Sequence, residues 1–292
     1  WPVAVVGWVT SIIQQAEASQ KRINSFLNSK PSINNYGKIL NFKNGDIKFE
    51  NVSFKYPETN LYALKNINFS ISSGNTLGII GRTGSGKTTI LELITRSYDV
   101  TSGKIFLDDK TLSSYNLQSL KSFISYVPQN PFLFSDTIIE NIKFGNYTAR
   151  NDEVVKVAKD SSIHSDISRF KDKYETLLGE RGVNLSGGQI QRITIARALL
   201  KRSEILILDD CLSSVDAKTE SNILLNIKET KKKETVIIVS NKISSVMHAD
   251  LIIVLDKGKI IEKGTHKQLI SIKGYYEKLA QKQMENIDFI KI

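Results

Sequence analysis

The chain has 292 residues, 40% hydrophobic and 24% charged, an ordinary composition for a globular protein with a sizeable core in one large domain or two smaller ones. Its single cysteine, Cys211, excludes an internal disulfide and a cysteine-based zinc site and fits a reducing compartment, and His164, His248 and His266 lie too far apart in sequence to share metal-ligand spacing. Forty Lys plus Arg against thirty Asp plus Glu give a net charge of +10, but the excess is scattered, so a lysine-rich solvated surface, of a kind that also suits anionic lipid, is expected and a nucleic-acid partner is not.

Trp1 to Val9 is apolar, and Ser11 to Asn28 is polar and helix-like. Nine residues cannot span a bilayer, which takes ~20. No basic residue precedes the run, so a signal peptide fits poorly. Residues 1–28 read as the end of a hydrophobic helix running into its cytosolic extension, with Trp1 and Trp8 suited to a membrane interface. The alternative is an amphipathic helix folded onto the domain. Residues 29–44, polar with Pro, Gly and Asn, read as a linker, residues 45–284 as the globular domain and 285–292 as a tail. Within the domain, Asp46 to Tyr56 alternates as a strand, Ile67 to Ile71 offers another, and Leu77 to Ile80 is a short apolar run.

That run leads into Gly81-Arg82-Thr83-Gly84-Ser85-Gly86-Lys87-Thr88-Thr89, which carries G-x-x-x-x-G-K-[ST], and a helix is expected from Thr89 to Arg96. Strand, glycine-rich turn and helix are what a phosphate-cradling loop needs. Gly84 and Gly86 let backbone N–H groups converge on phosphate oxygens, and the helix N-terminus adds positive potential. Lys87 is placed to reach the β- and γ-phosphates, and the Thr88 hydroxyl to ligate Mg²⁺.

Gly103 to Asp108 and Ile124 to Val127 read as further strands, and Asn151 to Phe170 has helical periodicity. Leu185-Ser186-Gly187-Gly188-Gln189 opens a strong helix candidate, Ser186 to Lys201; Ser186 suits the N-cap, and the two glycines bare the first amides for an anion. Glu204 to Asp210 is an apolar run closed by Asp209 and Asp210, as expected of a buried parallel strand whose end holds Mg²⁺ beside the Thr88 hydroxyl. Thr235 to Ser240 is a second such run, and Leu251 to Glu262 a hairpin around Lys257-Gly258. Strands alternating with helices give a mostly parallel α/β sheet.

Taken in this order, the phosphate loop, the Leu185 to Gln189 pentapeptide and the acidic strand resemble the nucleotide-binding domain of ABC (ATP-binding cassette) exporters, over about Gly45 to Met284. The resemblance implies a P-loop core with an antiparallel β subdomain in front, a helical subdomain near Ser135 to Leu185, and an N-terminal helix ahead of them. It places Tyr56 against adenine, where its π-face supports stacking. It matches Gln129 to the residue that touches Mg²⁺ and the attacking water. Gly179-Glu180-Arg181-Gly182 is similar to the loop that faces the membrane domain, and Ser213-Ser214-Val215-Asp216 to the D-loop. Mg²⁺ would be held by Thr88, Gln129 and Asp209, while Ser186, Gly187, Gly188, Gln189 and Asp216 would meet ATP bound by a second such domain. The implied function is ATP binding, ATP-driven dimerisation and hydrolysis that powers export, on the cytoplasmic face of the inner or plasma membrane, with transmembrane helices as partners.

Two residues depart from the family pattern. Asp210 stands where glutamate polarises water, one methylene shorter, and a displacement of ~1 Å in such a group costs on the order of 10²-fold in rate. Asn241 stands where a histidine is expected; its amide still donates to phosphate but does not titrate near neutral pH. A site that binds ATP well and hydrolyses it slowly is expected, the pattern of a degenerate half of a heterodimer. A homodimer with two slow sites, a non-hydrolytic dimerisation module, and a soluble ABC protein acting on nucleic acid or ribosomes remain as alternatives.

Overall fold

The computed structural model describes residues 1–29, 33–182 and 184–289; residues 30–32 of the expected linker and the end of the expected tail, 290–292, lie outside them. The chain divides into two units, Trp1–Asn34 and Asn35–Ile292. The first is dominated by α1 (Pro2–Leu27), opened by a proline whose missing N–H costs nothing in a first turn. Among the described residues no helix is long and apolar enough to cross a membrane.

The second unit runs β1 (Ile47–Lys55), β2 (Tyr62–Ile71), β3 (Thr76–Gly81), α2 (Lys87–Ile94), β4 (Ser102–Leu107), β5 (Lys110–Thr111), α3 (Leu117–Ser122), β6 (Ile124–Val127), α4 (Ile138–Lys143), α5 (Asn151–Asp160) and α6 (His164–Arg169). It continues with α7 (Gly187–Leu200), β7 (Ile205–Asp209), α8 (Ala217–Thr230), β8 (Thr235–Ser240), α9 (Ile243–Val246), β9 (Leu251–Asp256), β10 (Lys259–Gly264), α10 (His266–Ile272) and α11 (Tyr275–Phe289). One sheet is antiparallel, in the order β2-β1-β4-β5. The other is ordered β10-β9-β3-β8-β7-β6, parallel except at its β10–β9 edge. The mostly parallel P-loop core with an antiparallel subdomain and helical parts is the architecture expected from the sequence.

The inner strands β3, β7, β8 and β9 are largely apolar because both faces of the sheet are covered. On one face Leu77, Ile79, Ile205, Ile207, Ile237 and Val239 join the buried side chains of α2 and of the antiparallel sheet in one core. On the other, Ile80, Leu206, Leu208, Val236 and Ile238 pack with the apolar side chains of α4, α5, α7 and α8. α2 therefore lies between the two sheets, and its N-terminus is fixed where β3 ends. The β9–β10 hairpin turns through Lys257 and Gly258, both at positive φ (45° and 75°), as a tight two-residue turn requires.

Two readings change. The periodicity of Asn151 to Phe170 is not one helix: α5 ends where Ser162 turns left-handed (φ 57°), the Ser162 N–H bonding Lys159 O and the Ile163 N–H bonding Ala158 O. That paired closure is a Schellman cap, and it drives Ile163 fully into the core. The strand expected at Ile67 to Ile71 begins earlier, at Tyr62.

The stretch read as a linker lies, from Asn35 on, along the second unit. Asn35 Oδ1 accepts from Leu117 N, Ile39 pairs with Tyr115, and the Phe42 ring packs on Tyr115 and Phe123 (centroids 4.8 and 4.2 Å). The Asp108 carboxylate accepts from four successive N–H groups, those of Lys43, Asn44, Gly45 and Asp46, at 2.8–3.1 Å. Asp108→Ala is expected to lower the free energy of unfolding by about 2 kcal/mol, and Asp108→Asn, which keeps one accepting oxygen, by roughly half as much, read from urea titration.

Candidate functional site

The geometry of the site follows from strand register. Ile79 of β3, Val239 of β8 and Asp209 of β7 are level across the parallel sheet, and Val127 of β6 is level with Leu208. The loop after β3, Asn241 after β8, Asp209 and Asp210 at the end of β7, and Gln129 beyond β6 must therefore emerge side by side at the carboxyl edge, where open α/β sheets take ligands. They line one cleft of about 550 Å³, together with Tyr56, Thr83, Gly84, Gly86, Thr88 and Thr89.

In the loop, Gly84 and Gly86 both hold positive φ (78° and 103°). A Cβ at Gly84 would meet nothing within 4 Å, whereas one at Gly86 would sit 2.7 Å from Leu64 Cδ2. Gly86 is also the N-cap of α2 and offers no side chain to its first turn, so the amides of Lys87, Thr88 and Thr89 are left for an outside acceptor. Lys87 folds back across this loop: its Nζ donates to Gly81 O (2.7 Å), Arg82 O (3.0 Å) and Asn241 Oδ1 (3.0 Å). Burial pushes its pKa down, against the raising effect of Asp210 and Asp209.

Asp209 is buried and accepts from the Tyr126 hydroxyl at 2.7 Å. Burial raises its pKa and that of Asp210, while Lys87 and the hydrogen bonds each receives oppose the rise. Asp210 is itself left-handed (φ 45°) and anchored by its N–H to Val239 O. One of its oxygens, Oδ2, receives both Gln129 Nε2 and Asn241 Nδ2, each at 3.4 Å. Tyr56 stands at the far end, its hydroxyl donating to Glu92 (2.7 Å) and sharing a bond with Thr89 (2.9 Å). Burial pushes that phenol up to about 12, so it stays neutral.

Not every residue singled out in the sequence faces this cleft. Ser85 is buried with an unpartnered Oγ, and Arg82 turns outward, its Nε 3.2 Å from the Tyr275 hydroxyl. Ser186, Gly187, Gly188, Gln189 and Asp216 do not line it. Ser186 caps α7 in a reciprocal capping box with Gln189 (3.3 and 3.0 Å), leaving Ser186 and Gly187 exposed. A Cβ on Gly188 would stand 2.9 Å from Ser214 O, and Gln191 Oε1 accepts from Ser214 N (3.2 Å), so this turn and the Ser213–Asp216 loop pack as one surface. Asp216 caps α8 by accepting from Thr219 N.

The sequence reading missed Tyr62, Lys65, Lys257 and Gly258 of the cleft wall. Tyr62 carries Lys55 Nζ over its ring at 4.4 Å and Lys65 Nζ at 5.6 Å. Lys65 N donates to Gly258 O and Gly258 N to Ser85 O, which ties β2, the hairpin and the phosphate loop together.

Comparison with known proteins accords with this geometry. Residues 64–213, just over half the chain, match the family model described as ABC transporter. The chain is 42% identical over 292 residues to the "Uncharacterized ABC transporter ATP-binding protein YknU" of Bacillus subtilis, covering 99% of this chain and 50% of that protein. It is 42% identical over 283 residues to the "Multidrug resistance-like ATP-binding protein MdlA" of Escherichia coli, covering 97% of this chain and 48% of that one. A solved bacterial Atm1-family ABC exporter with ATP bound superposes with a TM-score of 0.88 at 32% identity, over 96% of this chain and 49% of that chain. The chain belongs to the ABC transporter family, and what it contains is the family's ATP-binding, ATPase portion. It spans about half the length of the curated relatives it matches.

Ser85→Ala is expected to leave the fold intact and to raise the free energy of unfolding by up to about 1 kcal/mol, since the buried hydroxyl has no partner to lose. Thermal unfolding of the nucleotide-free protein reads this directly.

Proposed function

We propose that the chain binds ATP in the cleft at the carboxyl edge of its parallel sheet, hydrolyses it slowly there, and serves as the ATP-driven half of an exporter. The carrying observation is the convergence of Lys87, Asp209, Asp210, Gln129 and Asn241 on one cleft beside uncapped amides at the start of α2. Those amides and Lys87 would cradle the phosphates, Lys87 exchanging acceptors it now holds in its own loop and on Asn241 for β/γ-oxygens. Tyr56 would face the base. Its position beside Tyr98 and Phe54 (centroids 5.5 and 5.0 Å) stiffens that wall.

The donor set fits Mg²⁺. Among the described residues no group of three or more His, Cys, Asp or Glu could cage a metal alone, whereas Thr88, Asp209 and Gln129 in one cleft suit an ion that shares its shell with substrate and water. When bound there it would neutralise charge on the phosphates. Asp210 would orient the attacking water and Asn241 would donate to phosphate. Both departures weaken that chemistry. Asp210 is a short base whose Oδ2 already receives two long hydrogen bonds, and Asn241 lends no titratable proton. The same pair of residues supports a second reading, in which ATP only glues subunits together.

The exposed Ser186-Gly187 turn, set apart from the chain's own cleft, supports a sandwich dimer in which it completes the site of a second nucleotide-binding domain. A groove of about 490 Å³ beside the Gln129 loop, walled by Phe132, Phe134 and Phe144 with the Arg197 guanidinium over two of those rings, supports docking of a membrane-domain element. Residues 1–28 would then lead from the last transmembrane helix, on the cytoplasmic face of the membrane.

The hydrolytic claim is tested by steady-state phosphate release. Asp210→Glu combined with Asn241→His is expected to raise turnover about tenfold or more over the natural chain. A natural rate equal to the repaired one would contradict a slow own site, and no release from either would favour the glue reading.

A further inference from the structure

The segment that carries Asn241 has a problem of backbone satisfaction. At Ser240 the chain leaves the sheet, and the peptide groups of 241–243 lose their ladder partners. Two of these groups find their partner on α11, a helix no sequence motif announced. Gln283 Nε2 donates to Asn241 O at 2.8 Å, and Gln283 Oε1 accepts from Ile243 N at 2.8 Å. One amide side chain thus closes both ends of the bend, using its donor and its acceptor at once.

Gln283 is firmly based. The Glu262 carboxylate receives the first amides of α11, Tyr275 N and Tyr276 N, where the helix dipole favours a negative charge. Tyr276 is fully buried with its hydroxyl on His266 Nδ1 (2.9 Å), and Ala280 is buried too. Tyr276, Ala280 and Gln283 follow an i, i+4, i+7 spacing, so anchor and clamp share one helix face. Lys242 is held separately, its Nζ between Glu220 (3.5 Å) and Ser213 O (3.4 Å) and its N–H on Ser240 Oγ.

Held this way, the Asn241 side chain has one orientation open to it. Lys87 Nζ can only donate, so Asn241 Oδ1 must face it and Nδ2 must face Asp210. Rotation of the Asn241 peptide would break both contacts. We propose that Gln283 is a positioning residue for the nucleotide site: α11 fixes the Asn241 peptide and, through it, the amide set between Lys87 and Asp210. This rests on the reading of the cleft as an ATP site. Tyr275, at the start of the same helix, meets Arg82 of the phosphate loop, so α11 touches both sides of the cleft from behind.

The test uses the whole chain with Gln283→Ala and Gln283→Glu. Glutamate still accepts from Ile243 N but sets an acceptor against Asn241 O. Both variants are expected to keep magnesium–ATP affinity within about twofold and to lower single-turnover phosphate release about tenfold, and Gln283→Ala, which removes the acceptor, to speed hydrogen exchange of the Ile243 amide about tenfold. Because Gln283 acts through Asn241, adding Gln283→Ala to Asn241→Ala should lower the rate no further. Unchanged release, or losses that multiply in the double variant, would overturn the proposal. Wild-type protein that binds magnesium–ATP but releases no phosphate would instead contradict the hydrolytic reading. In that event the Asn241 side-chain amide resonances decide the clamp: displacement in Gln283→Ala supports it, and no displacement overturns it.

Discussion

Everything chemical in this chain depends on where one ammonium group sits. Lys87 is buried, and it is not paid for by a single counter-ion. Two carbonyls of its own loop, the Asn241 amide oxygen and the field of Asp209 and Asp210 share its charge. A cation so held is already desolvated, but its three donors are all engaged by protein acceptors, so on the proposed reading a polyphosphate would have to displace at least one of them. The same ammonium opposes the rise that burial imposes on the pKa values of the two carboxylates at the end of β7.

That placement is a property of the sheet rather than of the loop alone. Parallel pairing of β3, β8, β7 and β6 in fixed register brings residues from four strands to one edge, although they are separated by as much as 160 positions in sequence. The antiparallel sheet and the β9–β10 hairpin close the cleft from the other side through Tyr56, Tyr62 and Gly258. The clamp on Asn241 extends the same logic. Where the chain leaves the ladder, a helix from the end of the domain supplies the missing hydrogen bonds.

The strands and the phosphate loop were legible because their signals are local. Unbroken apolar runs ended by Asp209 or Ser240 mean strands buried on both faces, and G-x-x-x-x-G-K-T encodes its own backbone shape. The break at Ser162 was hidden because helical periodicity continues across it; only the left-handed cap shows that the helix ends. The wall formed by Tyr62, Lys65 and Gly258 was hidden for a different reason, since it depends on long-range pairing between β2 and the hairpin. Gln283 was invisible: a polar residue on an amphipathic helix looks like any solvated position until the peptide it serves is known. Conversely, Ser186 was read correctly as a cap, but the fold alone explains why it is exposed, since the turn packs on the Ser213–Asp216 loop and not on the chain's own cleft.

The most direct test of the account is calorimetric titration of ATP into the protein with and without magnesium, for the natural chain and for Lys87→Ala. The account predicts magnesium-dependent binding that Lys87→Ala weakens about a hundredfold or more, because the removed ammonium leaves the desolvated phosphates without a partner. Equal affinity in the two proteins, or binding indifferent to magnesium, would contradict it.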